Sequence, residues 1–551
     1  MTNKSRFNFW PPTLLLVCSV LFCLPLFRST LQVGQDLEFH LARIRSLSNI
    51  FISPVNFNSF AGHGNMISTY YPWLTVYPAF LLIKLLGNIL LGYRLFIVIV
   101  TFLTGMSAYS CSKFLHVSST NSLLFALTYM LSTYHAVNIF LRSAVGEIIC
   151  AAIIPIVFAA LYATICGNKH SWIILALGMS AIAYTHVISL LLTTIFCIIL
   201  TAPFVPPLIH NKQRLLSLIK SAVLTLLLSA GFIVPFVNSF LHENVQLPKP
   251  ALLQSSGLSL GNLVRSTFTN QLTAFTSGVV ITVMLLFCLL QFHELTHISK
   301  ILTGLCLAMA LLQIHSPVLN LLDFLHLNQI QFIWRLNLFS SLFVPYVFWS
   351  DAVHLKIKRS NSTRTHLILG FIFIQLLLNF VSTSFLFHAD TRYFTHGQVT
   401  SSQQMVVKLS KYAHGDYRPI GSPSPFTIRG KKQLKPLLLP RNVHVHIMRS
   451  DSSITYHLNA SKPGIVLKTG LYYYKNLQIS HNKQTNVLRH RGLLEANTRS
   501  NKLVLSVSSR YSLLTRISWS VSTITFTICL LLLLKLRKKT RKFQDQKSPE
   551  C

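Results

Sequence analysis

The chain has 551 residues, of which 51% are hydrophobic and only 11% charged, less than half of the roughly 25% usual in a soluble domain. That balance excludes a soluble globular enzyme and excludes a disordered chain. Its 48 Lys and Arg against 13 Asp and Glu give a formal net charge of +35, but the bases lie mainly between apolar runs of spanning length, so membrane topology explains much of the excess before nucleic acid does.

Lys4 and Arg6 precede an apolar run over 13–31 with no small-residue cleavage site after it, which reads as a retained signal anchor. Further runs at 93–113, 121–140, 147–166, 171–185, 187–205, 215–240, 273–293, 298–315, 336–350, 366–388 and 513–535 give about twelve candidate spans, three of them short. Segment 70–90 is apolar yet holds Pro72, Pro78 and Lys84. If it does not cross, Lys113, Lys169, Lys212, Arg214, Lys300, the cluster Lys356, Lys358, Arg359 and Arg364, and the tail from Lys535 to Lys542 all fall in the cytoplasm with the N-terminus. If it crosses, the densest clusters move outside. The non-crossing arrangement is therefore expected. It puts 32–92, 141–147, 185–187, 241–272, 316–335 and 389–512 on one outer face.

The expected fold is an α-helical polytopic membrane protein with a β-rich extracytoplasmic unit. Residues 1–388 form the transmembrane domain, with interfacial helices in the outer loop 32–92. Region 389–512 is polar, and alternating stretches such as Asn442–Ile447 and Lys502–Val507 read as strands of a small sandwich-like module. Gly415, Pro419, Gly421, Pro423, Pro425 and Gly430 mark a turn-rich entry. A last span at 513–535 leads to the basic cytoplasmic tail 536–551, a topology signal first and an anionic-lipid contact second. Of the ten cysteines, Cys551 is the last residue and the others lie in apolar runs, without CxxC or Cys/His spacing for zinc.

Acids are the scarcer signal. The first 242 residues hold only Asp36, Glu38 and Glu147, and a carboxylate near a bilayer is costly. In DLEFHLARIRSLSNIF (36–51), Asp36, His40 and Arg43 share one helical face beside Leu37, Leu41 and Ile44. The bland alternative, an amphipathic connector with Asp36 as helix cap, is equally compatible with this segment. In FLRSAVGEII (140–149), Arg142 and Glu147 bracket a short outer turn, which a snorkelling Arg and a dipole-favoured Glu also explain. His186 lies at an outer junction, where a satisfied structural imidazole is the commoner case. Arg335, in QIQFIWRLNLF (329–339), either snorkels beside Trp334 or holds a phosphate through its planar fork. There is no Walker loop, HExxH, nucleophile elbow or dinucleotide fingerprint. Asn459-Ala460-Ser461 matches a glycosylation sequon that is common by chance.

A first span followed by an outer DxxFHxxR-like helix resembles the GT-C glycosyltransferase superfamily. DLEFHLARI (36–44), YYPWLTVYPAFLL (70–82), RSAVGE (142–147), YTH (184–186), QFIWRL (331–336) and DYRP (416–419) resemble more closely the bacterial YfhO-like membrane proteins, including those called 6-pyruvoyl-tetrahydropterin-synthase-related. Ile333 stands where Pro is expected and Arg418 where an apolar residue is usual. The resemblance implies an inverting transfer of sugar from a polyprenyl-phosphate carrier to a cell-envelope glycan, teichoic acid or lipid. It makes Asp36 the general base and Glu147 a second outer-loop acid, with His40, Arg43, Arg142, His186 and Arg335 binding or neutralising the lipid phosphate. Two carboxylates are compatible with a divalent cation without requiring one. The implied setting is a bacterial plasma membrane with both termini cytoplasmic. A lipid-linked precursor flippase, expected to carry acids in mid-span, and a non-enzymatic envelope scaffold, expected to tolerate loss of Asp36, are the rival functions.

Overall fold

The computed structural model describes residues 10–248, 250–352, 361–389, 394, 397–423 and 443–545. Lys4, Arg6, Lys356, Lys358, Arg359, Pro425 and Gly430 lie outside the described residues, as does the end of the basic tail.

Every expected span is helical. Eight are long and apolar enough to cross a membrane: Trp10–Phe27, Ile89–Phe114, Ser119–Arg142, Val145–Ile165, Val187–His210, Lys212–His242, Ile368–His388 and Leu513–Leu536. The remaining four are shorter helices, Ser171–Ala183, Gly278–Leu290, His297–Leu312 and Asn337–Val347. The helices at Ser119–Arg142 and Val145–Ile165 form the buried centre. Lys212–His242 and Leu513–Leu536, paired with each other, leave Leu226, Ile524 and Leu531 exposed, an apolar outside suited to lipid.

The segment expected not to cross forms a helix at Tyr77–Leu86 that folds back against Ile89–Phe114. Gly87 closes the turn at φ 61°. Asn88 then caps the next helix, its side chain accepting from the Leu91 amide at 2.9 Å. Gly92 permits the hairpin, since a Cβ there would stand 2.8 Å from the Ile83 Cα.

Two irregularities place the polar residues. The chain after Met130 restarts at Thr133–Ala136 and passes into a π-helical turn, Val137–Arg142, a distortion common at functional sites. Ser143 then adopts φ 57°, and the helix at Val145–Ile165 begins. Strand β1 (Leu31–Gln32) pairs antiparallel with β2 (Gln398–Val399), tying the loop after the first helix to the chain that follows the Asn361–Ala389 helix.

Part of 389–512 is helical: Ser402–Lys411 buries Met405 and Leu409 in the core of the helical body. Among the described residues the β-rich unit proper has seven strands: β3 (Val443–Arg449), β4 (Ser453–Ala460), β5 (Ile465–Tyr472), β6 (Leu477–His481), β7 (Thr485–His490), β8 (Leu493–Thr498) and β9 (Lys502–Ser509). They form two antiparallel sheets, ordered β3-β4-β9-β6 and β5-β8-β7. Alternation places Ile454, Tyr456, Leu458, Leu467, Leu494, Leu503, Leu505 and Val507 in a shared core.

Candidate functional site

Asp36 is set by the backbone around it. The Gln35 and Asp36 amides donate to the Leu141 and Arg142 carbonyls at 3.2 and 2.8 Å. Only glycine fits at Gly34, where a Cβ would lie 2.5 Å from the Ser143 Oγ and 2.8 Å from the Leu141 oxygen. Asp36 occupies the N-cap position of the Leu37–Arg45 helix, yet its side chain makes no capping hydrogen bond. Its carboxylate lines a cavity of about 600 Å³ and keeps 43% of its side-chain surface open. The protein around it is nevertheless dense, and burial raises its pKa against the lowering effect of Arg142 and Arg335.

The same cavity is lined by His40, Arg142, Glu147, His186 and Arg335. Glu147 is its electrostatic centre. Its Oε1 lies 2.8 Å from Arg142 Nη1 and 3.3 Å from Arg335 Nε. Its Oε2 accepts from the Tyr134 hydroxyl at 2.8 Å. Arg142 also donates to Asn138 Oδ1 at 2.7 Å, lies 4.5 Å from the Trp334 ring centroid, and reaches Asp36 Oδ2 at 3.8 Å. With two arginines and a tyrosine on it, Glu147 is an anchor for cations. Asp36 is the more open carboxylate.

The two imidazoles are neutral groups. Burial lowers the His40 pKa well below the usual histidine range, and neighbouring Arg43 adds to this. Burial pushes His186 down to about 3, outweighing the pull of Glu147. His186 Nδ1 accepts from the Ser189 amide at 3.3 Å, so the neutral ring carries its proton on Nε2. As neutral rings they can present N–H donors to a ligand. Gly146 makes room for His186, because a Cβ there would stand 3.0 Å from the ring.

Arg43 is not on the cavity wall. It is fully buried, with its guanidinium 4.2 Å from the centroid of Tyr71, which does line the cavity. Helical periodicity grouped it with Asp36 and His40, but a nine-residue helix packed on both sides spreads neighbouring positions between cavity and core.

A second wall, which the candidate residues of the sequence do not include, closes the cavity. Tyr412, His414, Asp416 and Tyr417 line the cavity from the far end of the chain. His414 Nε2 lies 3.2 Å from Asp416 Oδ2, and its ring centroid lies 4.5 Å from that of Phe39. Glu38, the third early acid, anchors this wall through Lys408 at 2.9 Å. The DYRP and YYPW stretches were the available signals, since they contain Asp416, Tyr417 and Tyr71.

The donor set does not suit a metal ion. Among the described residues no three His, Cys, Asp or Glu side chains gather as ligands. The Arg142 guanidinium lies between the Asp36 and Glu147 carboxylates, 3.8 and 2.8 Å from them.

A second, apolar cavity of about 530 Å³ is lined among others by Trp73, Thr75, Tyr184, Leu228, Trp519 and Phe526. Tyr71 and His186 of the polar cavity lie two residues from Trp73 and Tyr184 of the apolar one. Thr75 Oγ1 donates to the Tyr184 carbonyl at 3.1 Å, joining the two segments.

No protein-family model matches the chain. A curated relative, an uncharacterized protein of Lactococcus lactis subsp. cremoris (strain MG1363), is 23% identical over 213 residues, covering 36% of this chain and 34% of its own length. Among solved structures the chain is similar to the arabinofuranosyltransferase AftD from Mycobacteria, with a TM-score of 0.46, 14% identity, and coverage of 72% of this chain and 28% of that one. A mutant of AftD matches at a TM-score of 0.44 and 15% identity over 73% of this chain and 29% of that one. The chain thus spans about a third or less of the length of these proteins.

Proposed function

We propose that the chain is a GT-C-type membrane glycosyltransferase that moves a sugar from a polyprenyl-phosphate carrier to a cell-envelope glycan, teichoic acid or lipid. The proposal includes the orientation argued from charge: a bacterial plasma membrane, both termini cytoplasmic, and the cavity and sandwich outside. The finer YfhO-like assignment rests on the sequence motifs alone.

One observation carries the reading: an accessible aspartate shares a polar cavity with two buried arginines held on one glutamate. With Asp36 and Glu147 ionised, Arg142 and Arg335 balance them. When Asp36 takes the acceptor hydroxyl proton, the four groups together become positive. That is the moment at which the phosphate leaves with one more negative charge. The acceptor oxygen bonds to the anomeric carbon, the bond from that carbon to the phosphate oxygen breaks, and its electron pair stays on the phosphate. Displacement from the opposite face inverts the centre. Neutral His186 and His40 supply N–H donors to phosphate or sugar oxygens. The apolar cavity, two residues along the chain from the polar one at Tyr71–Trp73 and at Tyr184–His186, suits the chain of a lipid carrier.

The test is Asp36→Asn at normal expression, read by glycan analysis of the complemented deletion strain. Loss of the glycan change that wild type restores supports the transferase. Full restoration by Asp36→Asn would sink it in favour of a scaffold.

A further inference from the structure

The β-rich unit carries a charge imbalance that the cavity does not use. Residues 443–512 contain ten Lys and Arg but only Asp451 and Glu495 as acids. Both acids are engaged. Asp451 accepts from Ser48 and Asn58, each at 2.6 Å, and Glu495 lies 4.0 Å from Lys468.

The sandwich has a seated end and a remote end. At the seated end the β3–β4 turn docks on the helical body, with Asn49 donating to the Asp451 carbonyl at 2.8 Å. The Lys475 and Asn476 amides donate to Glu243 there, and β9 runs directly toward the Leu513–Asp545 helix. At the other end three turns meet: 461–464, 482–484 and 499–501. Register fixes this, because Asn459 faces Lys502, His481 faces Leu505, and Thr485 faces Thr498. Asn482 Nδ2 also donates to the Lys502 carbonyl, and Thr498 Oγ1 to the Gln484 carbonyl. Those turns read SKPG, NKQ and RSN and contain no acid. Lys462, Lys483, Arg499 and Lys502 are all exposed there, about 25 Å along an eight-residue strand from the seated end.

We propose that this remote tip docks an anionic polymer, of the class that repeats phosphodiester or carboxylate groups. Three cations from three turns and Lys502 at the start of β9, with no acid in those turns, match a chain of regularly spaced negative charge. Placement at the end away from the last membrane helix favours a polymer over a lipid surface. The docking surface stands whether or not the chain transfers sugar.

The test uses the full chain in nanodiscs of phosphatidylcholine with purified poly(glycerol phosphate) as the probe and neutral dextran as control. Wild type is expected to bind the polyanion, with affinity falling as salt rises, and to ignore dextran. Replacing Lys462, Lys483, Arg499 and Lys502 together by Gln is expected to weaken binding by about tenfold or more and flatten the salt dependence. Lys475→Gln with Arg491→Gln, at the seated end, is expected to leave it unchanged. Unaltered thermal melting shows that both variants fold. Tip variants that bind like wild type, loss caused equally by the seated-end pair, or a tip that instead captures phosphatidylglycerol-containing vesicles in preference to the polymer would each overturn the proposal.

Discussion

The Arg142 guanidinium lies 2.8 Å from the Glu147 carboxylate, and both side chains are almost wholly buried. Arg335 approaches the same carboxylate oxygen at 3.3 Å. One buried anion thus holds two cations that would otherwise repel, at the edge of a cavity in which the Asp36 carboxylate remains partly open. The pairing separates two roles: Glu147 keeps the cations in place, while Asp36 faces whatever enters.

Removing Glu147 therefore acts first on folding. Glu147→Gln leaves Arg142 and Arg335 buried without their common counter-charge, and breaking such a pair costs about 3–5 kcal/mol. Thermal unfolding of the purified variant is expected to show a clear drop in Tm. An unchanged Tm would mean that water already screens the cluster.

Asp36→Asn is expected to act on catalysis alone. Its carboxylate makes no helix-capping bond, and in the proposed reaction loss of the general base would lower the rate by about 10²–10⁴-fold. Turnover of a polyprenyl-phosphate sugar should fall by that order with Tm unchanged.

The acid side of the rate profile follows from the raised Asp36 pKa. A base works deprotonated, so activity is expected to fall with decreasing pH, with its midpoint above the ordinary aspartate value of about 3.9. A kcat profile over pH checks this. A midpoint at or below that value would contradict the desolvated environment.

His186 gives a separate stability signal. Its folded pKa of about 3 lies below the unfolded value, so its contribution is present above about pH 6.5 and is lost as pH falls toward the folded pKa. His186→Asn is expected to flatten the dependence of Tm on pH in that window. Equal slopes for variant and wild type would show that the ring is protonated in the folded protein.

Gly34→Ala tests how Asp36 is placed. The added carbon would collide with Ser143 and the Leu141 carbonyl, at about 1–3 kcal/mol if the loop yields. Activity should fall more than stability, because the displaced segment carries Asp36. Gly92→Ala, which meets Ile83 in the other hairpin, should lower stability without a selective effect on kcat.

Much of this was legible in the chain. Apolar runs locate helices because the backbone must satisfy its own hydrogen bonds in lipid. Alternation over Lys502–Val507 located a strand because one sheet face is buried. The scarcity of acids singled out Asp36 and Glu147, since a carboxylate is costly near hydrocarbon. Span number was overstated in length rather than place: four runs form helices of 11 to 16 residues, ended by turns and 3-10 segments that composition does not register.

Sequence by itself determined the helical membrane body, the β-rich unit and the residues whose charge needed an explanation. Tertiary structure decided what each charge does. Glu147 became an anchor through Tyr134, Arg142 and Arg335, and Asp416 joined Asp36 on one cavity from 380 residues away. Arg43 went to the core behind Tyr71. The physical reason is that cost of burial marks a residue locally, whereas its partners come from segments joined only when the helices pack.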